Sequence, residues 1–264
     1  MPARGRRSQV ARDAGRFVYL FSALKISIII PAFNEEKLIT ETIRAIQACL
    51  PAFARRQWET EIIVCDNNSG DRTGELARTA GATVVFEPIN QIARSRNAGA
   101  AAATGDWFVF VDADSRPSTE LFAAVAKEIE SGRCLAGGST MIIDGDYRLG
   151  RFVASFWNLI SRSLKWVAGS FIFCEANTFR ELGGFSQELF AAEELDLSKR
   201  LKRLARETGK RIAIISGHPL VTSGRKLHLY SGREHFVFLA KTILAGGKTL
   251  RDRASCPTWY DGRR

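Results

Sequence analysis

Short apolar runs alternate with stretches of helical spacing along most of the chain. Four runs are typical of buried strands, namely "ISIIIPAF", "EIIVCD", "ATVVFE" and "WFVFVD". Apolar residues at helical spacing predict helices at about residues 36–49, 72–80, 91–103 and 118–131. This order of strands and helices predicts an α/β fold with a mostly parallel sheet and helices on both faces.

Two of the predicted strands end in an aspartate, Asp66 and Asp112. In open parallel sheets, ligands bind beyond the carboxyl ends of the strands, so both residues are expected at a ligand site. The first strand runs into "PAFNEE" rather than a G-x-G-x-x-G turn, and the P-loop sequence is missing as well. A glycine-rich phosphate loop is therefore not expected to hold the ligand.

The fourth predicted strand continues into Asp112 and Asp114. Residues two apart at a strand end can point the same way, so these carboxylates can converge on one Mg²⁺ or Mn²⁺ ion. A cation held by only one or two carboxylates keeps positions open for phosphate oxygens. The alternative, that the two aspartates only end a strand and cap the next helix, stays open on this pattern alone.

The composition is that of a globular protein, with 264 residues of which 45% are hydrophobic. Five cysteines form an odd set without C-x-x-C spacing, which indicates neither a disulfide framework nor a zinc site. A reducing, cytoplasmic location is predicted. No segment has the length and apolarity of a confident membrane-spanning helix.

The net charge of +10 is concentrated at the two ends of the chain. Residues 199–264 carry 16 basic and four acidic side chains, which suggests an anionic partner or simply a solvated surface. Within this part, "REHFVFLAKTIL" predicts an amphipathic helix, and weak attachment to anionic lipid is left open. We divide the chain into a basic N-terminal tail (1–20), an α/β domain (21–228) and a C-terminal amphipathic helix with a basic tail (229–264).

Four segments resemble, in order, the family 2 glycosyltransferases of the GT-A fold: "ISIIIPAFNEE", "EIIVCDNNSGDRT", "ARSRNAGAAAATGDWFVFVDADS" and "GGFSQELFAAEELDLSKRLKR". The resemblance implies a Rossmann-like nucleotide-binding half and an acceptor-binding half. It also implies transfer of a sugar from a UDP- or GDP-sugar to an acceptor that is a saccharide, a lipid-linked molecule or a small molecule. Inversion at the anomeric carbon, dependence on Mn²⁺ or Mg²⁺ and no nucleic-acid partner are further expectations.

The resemblance also assigns residues that bind the nucleotide-sugar. The positions matching the family's binding segments are Pro31, Ala32, Asn34 and Glu35 in the first loop, Asp66 beside the base, Arg94 and Asn97 on the flanking helix, and Asp112 and Ala113 in the D-x-D motif. Asp112 and Asp114 match the metal-binding acids of that motif. The usual "DDGS" after the second strand reads "DNNS" here, so the preference for a base stays open.

Glu193, Glu194 and Asp196 precede apolar residues at helical spacing, which places the acids at a helix N-terminus. There the helix dipole favours the ionised carboxylate that a general base needs, although such acids also serve as structural caps. The family usually has Glu-Asp at this position and uses the second acid, which implies that Glu194 is the catalytic base. Similarly, "TSGR" resembles a Thr-Ser-x-Arg segment and implies that Arg225 approaches the diphosphate.

Several residues receive a structural interpretation or stay open. We expect Arg96 to be a solvated helix charge, and we leave His218 out of the metal site. The aromatic residues Phe152, Phe156, Trp157 and Trp166 either line an acceptor groove or belong to the core. Two other functions remain as alternatives: a nucleotidyltransferase of similar fold and a non-catalytic module that binds nucleotides or a membrane surface.

Overall fold

The computed structural model describes residues 24–145, 148–167, 170–225, 248–256 and 260. The predicted basic tail before residue 21 and the predicted helix "REHFVFLAKTIL" lie outside these residues. In the part that is described, we find no helix with enough length and apolarity to cross a membrane.

Eight strands form one sheet in the order β3-β2-β1-β4-β7-β6-β8-β5. Their bounds are β1 Lys25–Ala32, β2 Glu59–Asp66, β3 Thr83–Phe86, β4 Trp107–Val111, β5 Ser115–Arg116, β6 Cys134–Ile143, β7 Phe171–Glu175 and β8 Arg211–Thr222. Strands β3, β2, β1 and β4 are parallel to one another, and β6 is parallel to β8. Strand β7 is antiparallel to β4 and β6, and β5 is antiparallel to β8, so the prediction of a mostly parallel sheet is confirmed.

The helices are α1 Ile39–Cys49, α2 Pro51–Ala54, α3 Thr73–Thr79, α4 Ile92–Ala102, α5 Thr119–Glu130, α6 Arg148–Leu164, α7 Ala176–Glu181 and α8 Glu193–Thr208. Two short 3₁₀ turns follow at Lys248–Arg251 and Arg253–Ser255. All four predicted helices are present. The first begins three residues later than predicted, because the carbonyl of Glu35 accepts hydrogen bonds from the amides of Leu38 and Ile39 and closes a separate turn.

Helices cover both faces of the sheet, as predicted. Along β1, Ile28 and Ile30 face a core that includes residues of α1 and α5, whereas Ile29 faces a second core that includes residues of α4, α7 and α8. This alternation is the two-residue period of a strand that is buried on both sides. Burial of each such isoleucine contributes about 1.5–3 kcal/mol to stability.

Close packing of α4 on the sheet positions the first turns of this helix at the carboxyl edge of the strands. A Cβ atom at Gly99 would lie 2.5 Å from Cγ2 of Ile29, so only glycine permits this approach of helix and strand. The hydroxyl of Ser95, one turn earlier, donates to the carbonyl of Cys65 in β2 (3.2 Å). The first turns of α4 are thereby held against the ends of β1 and β2.

Candidate active site

A cleft lies at the carboxyl edge of β1, β2 and β4, where the sequence predicts a ligand. Its lining residues are Pro31, Ala32, Phe33, Glu35, Asn67, Asn90, Ile92, Ser95, Asp112, Ala113, Asp114 and Tyr260. Six of the predicted site residues are therefore brought together in one cleft. Asp114 also borders a neighbouring depression with Arg116 and Asp144.

Asn34 shapes the first loop instead of lining the cleft. Its backbone adopts a left-handed conformation (φ 52°), which asparagine tolerates better than most residues. Its amide donates to Oγ of Ser69 (3.0 Å), and its side-chain Oδ1 accepts from the amide of Gly70 (2.8 Å). Asn34 thus fastens the loop after β1 to the loop after β2.

Asp66 and Asn67, at the end of β2, have different roles. The carboxylate of Asp66 accepts from the amide of Ser69 (3.0 Å) and lies against Gly74, where a Cβ atom would come within 2.7 Å of it. Asn67 lines the cleft, and its side chain bonds to the backbone of the loop before α4, including a contact to the carbonyl of Ile89 (2.7 Å). Sequence reasoning missed Asn67, although the unusual "DNNS" marks its position.

Arg94 and Asn97 do not line the cleft. Nε of Arg94 donates to Oε1 of Gln91 (3.1 Å), the residue that precedes α4. Asn97 bonds through both side-chain atoms to the backbone of Phe185, donating to its carbonyl (2.8 Å) and accepting from its amide (2.9 Å). These contacts give Asn97 a structural role in joining α4 to the segment before α8.

Arg96 is the main correction to the sequence analysis. The expectation of a solvated charge is wrong, because this side chain is only 4% exposed. Its guanidinium donates to Oδ1 of Asp112 (3.0 Å) and to Oε1 of Glu193 (2.6 Å), and it lies over the ring of Phe185. The helical pattern of α4 did not reveal this role, since the partners come from distant parts of the sequence. Arg96 links the D-x-D segment to the acidic start of α8.

Burial and charge perturb the proton affinities in this cluster. Burial, reinforced by the neighbouring charge of Glu194, raises the pKa of Glu193 to about 8, despite the opposing effect of Arg96. Burial alone would lower the pKa of Arg96, but the carboxylates of Asp112, Glu193 and Glu194 outweigh it and raise that pKa. Arg96 is therefore a permanent positive charge inside an acidic cluster.

Helix α8 begins at the acidic pair, as predicted. Ala192 precedes it in a left-handed conformation (φ 62°), and Glu193, Glu194 and Asp196 occupy the first turn. Glu193 is buried, whereas Glu194 is half-buried beside it. Of the two acids in the pair, Glu194 is the more accessible, which is the geometry expected of a group that exchanges a proton with a bound molecule.

Arg225 closes the opposite side of the site. Its Nη2 atom donates to both carboxylate oxygens of Glu35 (2.8 and 2.6 Å), which joins the end of β8 to the loop after β1. Its Nε atom is buried and has no hydrogen-bond partner among the described residues. Glu35 itself lines the cleft, so Arg225 is one contact away from it.

The two aspartates of the D-x-D motif both line the cleft, and carboxylates are the hard oxygen ligands that divalent cations prefer. Within the described ranges, no three histidine, cysteine or acidic side chains converge to hold a metal. Mg²⁺ and Mn²⁺ in nucleotide sites take one or two carboxylates and complete their coordination with phosphate oxygens and water, which suits Asp112 and Asp114. His218 is exposed on β8 and, like the rest of the described chain, contributes to no such cluster.

Tyr260 lines the cleft from the C-terminal part of the chain, which sequence reasoning did not anticipate. Its hydroxyl oxygen accepts from the amide of Ile92 (3.4 Å) at the start of α4, and its ring packs edge-on against Phe190. Burial raises the pKa of its phenol, so Tyr260 stays neutral at ordinary pH. Tyr260 and Ile92 are 168 positions apart in the sequence, which leaves no local signal for this contact.

Comparison with known proteins agrees with the α/β fold and with a ligand cleft at the carboxyl edge of the parallel strands. The family model of Glycosyl transferase family 2 matches residues 27–182, and the chain belongs to this family. A dolichol-phosphate mannosyltransferase of Pyrococcus furiosus is 30% identical over an alignment of 130 residues that covers 46% of this chain and 35% of that protein. The chain thus spans about a third of this relative's length.

Solved structures share the GT-A fold. A mannosyltransferase from Pyrobaculum calidifontis, in complex with GDP-mannose and Mn²⁺, aligns with a TM-score of 0.63 at 20% identity, covering 91% of this chain and 68% of the other. Staphylococcus aureus TarS 1-349 in complex with UDP-GlcNAc gives a TM-score of 0.61 at 22% identity, covering 76% and 58%. The predicted fold is confirmed.

Proposed function

We propose that this glycosyltransferase moves a sugar from a nucleotide diphosphate sugar to an acceptor by direct displacement with inversion. One observation carries the proposal. A single cleft joins the loop after β1 to the D-x-D acids, and Arg96 ties Asp112 to the acidic start of α8. This connection supports a site in which the donor-binding groups lie near the helix start that carries Glu194.

The nucleotide would occupy the cleft between the loop after β1 and the start of α4. Pro31, Ala32 and Asn67 form its walls, and Tyr260 adds an aromatic ring. Structures of similar fold hold GDP-mannose in one case and UDP-GlcNAc in another, so both bases remain candidates. Arg225, at the rim beside Glu35, is the residue that we assign to the diphosphate.

Asp112 and Asp114 would hold the divalent cation. When bound, this ion offsets negative charge on the diphosphate and eases its departure. Arg96 fixes the carboxylate of Asp112 through a bond of 3.0 Å, which leaves less rotational freedom to be lost when donor binds. We therefore assign Arg96 as a positioning residue, since it acts through Asp112 and Glu193.

Glu194 is the proposed general base. The acceptor oxygen would form its bond to the anomeric carbon while the bond to the diphosphate oxygen breaks on the opposite face, and the acceptor proton would pass to the carboxylate of Glu194. Glu194 lies in the first turn of α8, at the positive end of the helix. Attack from the face opposite the leaving group produces inversion.

For the acceptor we propose only a chemical class, that of lipid-linked molecules. The relative from Pyrococcus furiosus is named as a dolichol-phosphate mannosyltransferase, which supports this class over a free small molecule. A lipid phosphate would present an oxygen that is already ionised, whereas a lipid-linked saccharide would present a hydroxyl. The two acceptors place different demands on Glu194.

The proposal is tested by calorimetry of UDP- and GDP-sugars in the presence of Mn²⁺, Mg²⁺ or EDTA, followed by product analysis with the bound donor. We expect donor binding only with metal, release of nucleoside diphosphate, and an inverted anomeric configuration by NMR. Release of pyrophosphate would instead indicate nucleotidyl transfer. Donor binding without hydrolysis or transfer to any acceptor would indicate a non-catalytic module.

A further inference from the structure

Helix α6 presents large apolar side chains to solvent. Phe156, Leu159 and Leu164 are 58%, 61% and 47% exposed and lie on one side of the helix. Another part of the helix is fixed to the protein, because the side chain of Asn158 bonds to both the amide (2.9 Å) and the carbonyl (2.7 Å) of Met141 in β6. The apolar side therefore faces outward as a consequence of how α6 is anchored.

The exposure is concentrated in this region. Of six large hydrophobic residues that are strongly exposed in the described part of the chain, three belong to α6, and a fourth, Ile142, follows the Met141 that anchors it. Single exposed apolar residues are common, but a cluster of this kind marks a binding surface or an aggregation hazard. An occupant for this surface must therefore be identified.

The surroundings of the apolar cluster are basic. The stretch from residue 148 to residue 165 contains three arginines and one lysine but no acidic residue. Of these, Arg162 and Lys165 are described and exposed, and no ion pair joins either to a described acid. A partner with negative charge is therefore favoured.

A second basic element adjoins the end of α6. The ammonium group of Lys202 lies 5.4 Å from the ring centre of Trp166, which in turn packs beside Trp157 of α6. On α8, basic residues recur at the spacing i, i+3, i+4 and i+7, at Lys199, Lys202, Arg203 and Arg206. This spacing places them in one stripe along the helix. The apolar cluster and the basic stripe are thus connected through the two tryptophans.

We propose that the exposed face of α6 and the basic stripe of α8 together dock this protein on the surface of an anionic lipid bilayer. Phenylalanine and leucine side chains enter the boundary between headgroups and acyl chains, while lysine and arginine contact anionic headgroups. A second copy of the chain is a poorer occupant, because a twofold contact through this region would bring the two basic stripes near each other. The inference is independent of the proposed transfer reaction.

Flotation with lipid vesicles tests the proposal on the full chain. Vesicles of phosphatidylglycerol and phosphatidylcholine are compared with vesicles of phosphatidylcholine alone, at low and high salt. The test variant is Phe156→Glu/Leu159→Glu. The matched control is Phe86→Glu/Ile89→Glu, whose positions are 59% and 51% exposed on another part of the surface and receive the same charge change.

We expect the unaltered chain and the control to float with anionic vesicles at low salt, and the α6 variant to bind them at least about tenfold more weakly. Lys199→Gln/Arg203→Gln should also weaken binding to anionic vesicles. Circular dichroism of each variant verifies folding. The proposal is overturned if the unaltered chain fails to float, if both glutamate pairs act equally, or if Phe236→Glu/Phe238→Glu in the predicted C-terminal helix removes binding while the α6 variant retains it. A dimer in light scattering that Phe156→Glu/Leu159→Glu dissociates, without vesicle binding, assigns the face to a second copy.

Discussion

The two halves of the sheet differ in how their functional residues are assembled. In the parallel half, β3-β2-β1-β4, the residues that line the cleft follow directly from strand ends, as Ala32, Asn67 and Asp112 do. In the half formed by β7-β6-β8-β5, parallel and antiparallel pairs are mixed, and residues such as Arg225 reach the site only through contacts across the fold. Parallel strands gather their carboxyl ends by geometry, whereas the other half depends on specific long-range bonds.

Arg96 connects these two modes of assembly. It belongs to a helix of the parallel half, yet its partner Glu193 lies 97 residues later, at the start of α8. If this comparison is right, changes at strand ends should affect donor binding, and changes at the connection should affect stability and proton transfer as well.

The largest effect is expected for Asp114→Ala. This variant removes a carboxylate at the end of the parallel half that we assign to the cation, so metal-dependent donor binding should be lost and transfer should fall by more than about a thousandfold. Asp112→Ala should weaken donor binding less. The matched control is Asp144→Ala, which removes an exposed acid paired with Arg116 in the neighbouring depression. Calorimetry with and without EDTA measures the difference, and unchanged metal-dependent affinity in Asp114→Ala would contradict the metal assignment.

The next effect concerns Glu194→Gln, in the half assembled by long-range contacts. The amide keeps the shape of the side chain but cannot accept the acceptor proton, so transfer should fall about a hundred- to ten-thousandfold while donor affinity stays nearly constant. Asp196→Asn is the control, since Asp196 shares the first turn of α8 and pairs with Arg200.

A small effect of Glu194→Gln has a defined meaning as well. Transfer to a lipid phosphate needs no proton acceptor, so full turnover by this variant with such a substrate would reject Glu194 as the base and identify an ionised acceptor oxygen. If Glu194 only caps α8, the variant should lower stability by about 0.5–2 kcal/mol and leave turnover per folded molecule intact. Unfolding and turnover are therefore measured on the same preparations.

Arg96→Leu should affect the parallel half and the mixed half of the sheet together, because Arg96 connects them. Removing Arg96 leaves the carboxylate of Asp112 without its buried partner, and such changes lower the free energy of unfolding by about 3–5 kcal/mol. Arg94→Leu is a control on the same helix, because Arg94 is half-buried and bonds only to Gln91 among the described residues. Chemical denaturation compares the two variants. Equal losses from both would show that Arg96 contributes no more than an ordinary helix residue.

The sequence predicted most of the parallel half and little of the connection between halves. Strand ends such as Asp66 and Asp112 follow from local apolar patterns, so their placement needed no knowledge of distant residues. The burial of Arg96 could not be predicted, because an arginine between polar neighbours on a helix looks solvated until its partners are known. The position of Tyr260 was equally hidden, since its contact with Ile92 spans 168 residues.

The smallest expected effect is on how the stability of the protein depends on pH through Glu193. Glu193 is faced by Arg96 from α4, by Glu194 from its own helix, and by Cys256 and Tyr260 from the C-terminal part of the chain. Its pKa is raised from 4.5 to about 8 in the folded protein, so between these values the folded state keeps a proton that the unfolded chain has released. Its stabilising contribution is therefore full below pH 4.5 and is lost as pH rises through 8.

Glu193→Gln cannot ionise and mimics the protonated side chain at every pH. The difference in melting temperature between the unaltered protein and Glu193→Gln should therefore shift in favour of the variant as pH rises from about 5 to about 8, because only the unaltered protein loses the bound proton. Taking this difference cancels titrations common to both proteins. A difference that stays nearly constant across this range, as expected if Arg96 holds Glu193 ionised throughout, would show that the cluster is governed by the ion pair and not by burial.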